Sequence, residues 1–182
     1  MAEMPWASLL AVWGVFAVHV LSPGPNVFNT IGIALGSGRR AALGAAAGVG
    51  PGVLLWGAAA TLGIATLFRL YPAAQTALTA LGGALLLWFA SRYLRRAFAP
   101  ATDVRARRGA TPAQAFAATL AVLATNPKAL TTWLVILALF PVATSGWGVL
   151  ALLVAGKAAV ATLIHVGYAL LFSTRAAAAV YA

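Results

Sequence analysis

Two short stretches carry the residue types that could do chemistry. They are Leu21-Ser22-Pro23-Gly24-Pro25-Asn26 and Thr125-Asn126-Pro127-Lys128, and each interrupts a run that is otherwise apolar. A proline removes a backbone donor and clashes with the turn before it, and Gly24 adds freedom to bend, so a helix must open at both places. In hydrocarbon the bared amides and carbonyls find no water, so such a break persists only where it is buried in protein or lines a cavity. Both breaks are therefore expected at one binding site, with half-helices beginning near Val27 and Lys128 that aim their N-terminal amides at it. That arrangement suits a carboxylate. Asn26 and Asn126 cap the half-helices, offer amide groups to a ligand, or do both. Lys128 faces the positive end of the helix dipole in its first turn, which an anion would relieve; the alternative is a lysine nearer an interface that snorkels. The candidate binding residues are Ser22, Pro23, Gly24, Pro25, Asn26, Asn126, Pro127, Lys128 and Lys157.

Lys157 and His165 are eight residues apart, about 80° around a helix, and can share one face. Lys157 lies deep in its run and is expected to face protein, either bonded to helix-end carbonyls or acting on the ligand. His19 and His165 are candidates for proton handling, because only imidazole titrates near neutrality in its ordinary state; packing is the plainer role for each. The acids Glu3 and Asp103 lie in a terminus and a connection, and the chain has no cysteine, so no metal site and no cofactor are expected. Neither His-Glu-x-x-His nor Gly-x-Ser-x-Gly occurs. A Ser22 and His165 dyad is the one enzymatic alternative, and a structural or assembly protein is another, although the latter leaves the two breaks unexplained.

The elements that must hold these residues are membrane helices. Hydrophobic residues make up 63% of the 182 and charged residues only 8%, which is far from the soluble range. The net charge of +10, from twelve Lys and Arg against two acids, would suggest nucleic acid in a soluble chain. Here the basic residues concentrate in connections, so topology and lipid contact explain them and no nucleic-acid partner is expected. Apolar runs cover Trp6 to Leu35, Ala42 to Leu67, Tyr71 to Ala90, Ala113 to Pro141 and Trp147 to Phe172, giving five expected spans. Arg39, Arg40, Arg92, Arg95, Arg96, Arg105, Arg107, Arg108 and Arg175 fall on one side and Arg69 on the other, which puts the N-terminus outside the cytoplasm. Proline-broken first and fourth runs of opposite direction are what inverted three-helix repeats leave in a sequence, about 1–93 and 113–182 in a single transporter domain. Gly32 and Gly36, and Gly44, Gly48 and Gly52, recur every four residues and permit close helix approach, within one chain or in a homodimer.

These residues resemble the LysE/RhtB amino-acid exporters. The resemblance rests on Leu21 to Asn26, on Gly36-Ser37-Gly38-Arg39-Arg40-Ala41-Ala42-Leu43-Gly44, and on Asn126-Pro127-Lys128, and covers nearly the whole chain. It implies an all-α, six-helix secondary exporter of amino acids or related metabolites in a bacterial inner membrane, with Pro25, Asn26, Asn126, Pro127 and Lys128 at the signature positions. Five runs against six helices imply that the second repeat lacks its last member. The region Gly48 to Leu54 has no acid, which the resemblance would associate with basic substrates. The carboxylate of a bound amino acid is then expected near Lys128, and its ammonium at asparagine oxygens or at the freed carbonyls of Leu21 and Ser22. A second cation would have no partner, so small neutral amino acids are the expected cargo.

Overall fold

A computed structural model describes residues 5–71, 73–98, 105–126, 129, 132–133, 135–136 and 145–181. Among these residues every regular element is helical: α1 (Trp6–Leu21), α2 (Pro25–Leu70), α3 (Ala73–Ala97), α4 (Pro112–Thr125), α5 (Trp147–Phe172) and α6 (Arg175–Tyr181). α2 turns at Gly38, whose φ of 79° and ψ of −177° favour glycine, and so comprises two helices, residues 25–37 and 39–70. The basic stretch around Arg39 and Arg40 is thus not a loop. A single residue makes the turn, and both arginines already belong to the next helix.

Contacts fix the direction of each piece. Ile33 and Ala34 pack with Ala41, Ala42 and Ala45, so residues 25–37 fold back on 39–70. Gly44, Gly48 and Gly52 abut Pro112, Phe116 and Leu123 in order, so α4 runs with 39–70; Gly50 near Thr162 and Gly57 near Val154 set α5 against it. Trp13 fills the space over Gly156 and donates Nε1–H to the Leu153 carbonyl at 3.2 Å, while Tyr168 reaches Leu21, so α1 lies beside α5 in the same sense. α1 and residues 25–37 therefore run one way and α4 the other.

Small residues make this packing possible. A Cβ on Gly32 or Gly36 would collide with the backbone of Arg105 or Arg107, and one on Gly44 or Gly48 with that of Pro112 or Phe116. Lipid chains are as apolar as leucine, so helices gain from close van der Waals approach rather than from hiding oil from water. Both glycine series are used inside the chain, against 105–123. The start of α4 is fixed separately by a capping box: Gln114 N–H donates to Thr111 Oγ1 at 3.2 Å and Thr111 N–H to Gln114 Oε1 at 2.9 Å.

Among the described residues two stretches are long and apolar enough to span by length and composition: Pro25–Gly63, with mean hydropathy 1.5, although the turn at Gly38 divides it, and Trp147–Phe172, with 2.1. α1 and α4, with 16 and 14 residues, are shorter. At 1.5 Å per residue they reach about 24 and 21 Å, less than the roughly 30 Å of a bilayer core, because the prolines cut them short. The five expected spans are thus not five continuous helices. α3 extends past Ala90 to Ala97 and turns Leu81, Leu87, Trp88 and Leu94 outward.

Candidate functional site

Both breaks occur where expected. After α1, Ser22 is extended (φ −71°, ψ 121°), Gly24 is extended (φ −145°, ψ −178°), and the helix resumes at Pro25 rather than near Val27. After α4, Asn126 is extended (φ −85°, ψ 107°), and Ala129, Thr132, Trp133, Val135 and Ile136 are helical again. Pro127 and Lys128 lie outside the described residues.

At each break a proline leaves one carbonyl without its helical partner, and that carbonyl is met from a neighbouring helix. Leu21 would have bonded the residue now occupied by Pro25; Tyr168 of α5 donates its hydroxyl there at 2.8 Å. Leu123 would have bonded the residue at Pro127; Trp56 of α2 donates Nε1–H there at 2.7 Å. The Leu21 carbonyl thus already accepts one hydrogen bond, which leaves it one lone pair. Nothing in the linear sequence names Tyr168 or Trp56 as these donors, although an indole deep in an apolar run must find an acceptor.

A cavity of about 90 Å³, room for several waters, lies between the breaks. Ser22, Gly24, Pro25 and Asn26 border it from the first, Asn126, Ala129, Thr132 and Trp133 from the second. Val49, Val53 and Trp56 of α2 form one wall, Phe16 and His19 of α1 another, and Ala161 and His165 of α5 a third. Gly38 marks the arginine-rich end, where Ser37 Oγ holds the Arg107 carbonyl and accepts from Ala110 N–H. Asn26 is twelve residues from it, so the cavity sits about 18 Å in from that end.

Asn26 does not cap its half-helix. Gly24 is the N-cap, without a side-chain bond, and Asn26 lies one position past Pro25. Its carbonyl accepts from Thr30 Oγ1 at 3.0 Å, while its buried Oδ1 has no hydrogen-bond partner. Asn126 ends α4, its N–H bonded to Leu123 at 3.3 Å and its carbonyl to Ala129 N–H at 2.9 Å. His19 Nε2 lies 3.0 Å from Thr132 Oγ1, tying the end of α1 to the segment beyond the second break. His165 is 3% exposed, with Nδ1 2.9 Å from the Ala161 carbonyl and Nε2 unpartnered. No bond joins it to Ser22, so the dyad that an enzyme would need is not formed, although both residues border the cavity.

Lys157 is fully buried and its Nζ has no hydrogen-bond partner; it stands 3.1 Å from the centre of the Trp133 ring and 4.4 Å from that of Phe16. It shares a buried face with His165, yet helix-end carbonyls do not hold it. Aromatic faces do. Trp133 and Phe16 also border the cavity, which places Lys157 directly behind its aromatic wall. Among the described residues no cluster of three or more His, Cys, Asp or Glu could hold a metal ion. A further network joins Arg107 to Asn29 Oδ1 at 3.1 Å and Asn29 Nδ2 to the buried Thr119 at 2.9 Å, binding the first half-helix to α4.

An uncharacterized membrane protein of Escherichia coli K12, YahN, is 34% identical to the chain over 103 residues, 55% of this chain. The aligned part spans about half of that relative, 46%. No solved structure matches the chain. The model of a family described as LysE type translocator matches residues 17–181, which takes in both breaks, the cavity between them and α5. A helical membrane chain whose two proline breaks meet at one cavity, matched over that extent to a family of translocators and not of enzymes, belongs to the LysE type translocator family.

Proposed function

We propose that the chain is a secondary active exporter of small neutral amino acids or related metabolites. It works in a bacterial inner membrane with its N-terminus outside the cytoplasm. Inverted repeats of about 1–93 and 113–182 form it, and the opposite senses of the first broken span and α4 support that symmetry. The observation that carries the reading is the meeting of two helix breaks, with Asn26 and Asn126, at a single cavity. Transporters hold substrate at such discontinuities because half-helix ends supply fixed dipoles without burying a formal charge.

The substrate carboxylate lies toward Lys128 and the amides of the second half-helix, and the Lys157 amine stands behind the Trp133 and Phe16 wall. A lysine or arginine side chain would bring a second cation into a space that no acid borders among the described residues, and its burial is strongly disfavoured. Competition for labelled substrate in proteoliposomes tests this. Threonine, homoserine or a branched aliphatic amino acid should displace label at least about tenfold better than lysine or arginine, since an unmatched cation at membrane depth costs about 2.5 kcal/mol or more. Better displacement by a basic amino acid would break the proposal.

A further inference from the structure

Two polar side chains at the cavity are more than nine-tenths buried or close to it and end in atoms without a partner: Asn26, 9% exposed, at Oδ1, and His165, 3% exposed, at Nε2. They come from different helices, so neither is a local accident of one segment. A buried polar atom left unpaired costs about 1–3 kcal/mol, so each calls for an occupant of the cavity to bond it. Their chemistry is of one kind. The Ala161 carbonyl can only accept, so His165 Nδ1, 2.9 Å away, carries the ring proton, and Nε2 of the neutral imidazole is a bare lone pair. The amide oxygen of Asn26 is likewise an acceptor.

The surroundings complete the pattern. Lys157 stands two turns before His165 on the same buried face, about 12 Å along the helix, with its Nζ on the Trp133 and Phe16 rings. The cavity is mainly apolar, with an amine behind its aromatic wall and two acceptors without partners on other sides. A group with several N–H donors at one end suits both acceptors while keeping any negative end toward the lysine. We infer that Asn26 Oδ1 and His165 Nε2 form the subsite for a substrate ammonium, in place of the carboxylate that a cation would otherwise require. This rests on the exporter reading for its substrate class. It gives His165 the work of a hydrogen-bond acceptor rather than of a proton carrier.

The test separates the two ideas. Protein in nanodiscs, with 15N-labelled histidine, is titrated with L-threonine, L-homoserine and L-leucine, each beside the hydroxy acid or des-amino acid that lacks its ammonium. The His165 Nε2 resonance should move with at least one amino acid and stay still with its amine-free counterpart. In proteoliposomes His165→Leu and Asn26→Leu should weaken the apparent affinity for that amino acid by about tenfold or more, as expected for hydrogen bonds to a charged group, whereas His165→Gln, which keeps an acceptor at similar reach, should retain most of it. A ring response without any flux would uphold the acceptor subsite while overturning export. Flux with a silent ring, or with Leu variants as good as the parent, would overturn the subsite and leave export standing. A response to both members of each pair would also overturn it, because the amine would then not be what His165 receives.

Discussion

The two breaks solve one problem with different thoroughness. In each, a proline strips a carbonyl of its helical partner and an aromatic side chain from another helix replaces it, Tyr168 at Leu21 and Trp56 at Leu123. Beyond that they part. At the second break Asn126 is bonded through both its N–H and its carbonyl, and the helix leading to it starts from a capping box and lies on a glycine series. At the first break Gly24 caps without a side chain and Asn26 Oδ1 is left unpaired beside the cavity. The difference suggests that the second break is built as a fixed wall and that the first keeps unspent hydrogen-bonding capacity for an occupant.

The strongest way to break the comparison is to remove the footing of the fixed wall. Gly48→Leu drives a side chain into the backbone of Phe116 and should displace α4, costing about 3 kcal/mol or more and most of the folded, monodisperse protein. Gly14→Leu, where open space surrounds the Cβ position, is the control and should purify like the parent. Equal yields of the two would mean that α4 is not seated as described.

Next come the two rescuing donors. Trp56→Phe removes both a hydrogen bond and part of a ring from the cavity wall and should lower stability by about 2–3 kcal/mol, whereas Tyr168→Phe removes only a hydroxyl and should cost about 1 kcal/mol. Denaturant-dependent unfolding of the two in the same lipid or detergent measures the order, and a larger loss for Tyr168→Phe would reverse the assignment of the firmer break.

The smallest change in stability should come from the asparagines, and it sharpens the contrast most. Asn26→Ala leaves no partner bereft and should shift stability by less than about 0.5 kcal/mol while reducing efflux several-fold. Asn126→Ala keeps both backbone bonds at its position and should reduce efflux while folded protein is still recovered. If efflux by folded Asn26→Ala matched the parent, the free oxygen would have no part in transport.

The sequence by itself determined the membrane class, the positions of both breaks and the family, because these follow from local facts. A proline lacks an N–H wherever it stands, and an apolar run of this length has few other uses. Glycines every four residues foretold close packing, but not that both series would lie against the single stretch 105–123. Nor was a one-residue turn at Gly38 legible, since the arginines beside it read equally well as a loop. The tertiary structure alone decided which donors reach the orphaned carbonyls, that Lys157 rests on Trp133 and Phe16, and that Asn26 and His165 end unpaired at one cavity. Each of those depends on residues tens to more than a hundred positions apart. A sequence records which groups need a partner, and only the packing of helices settles which of them receive one.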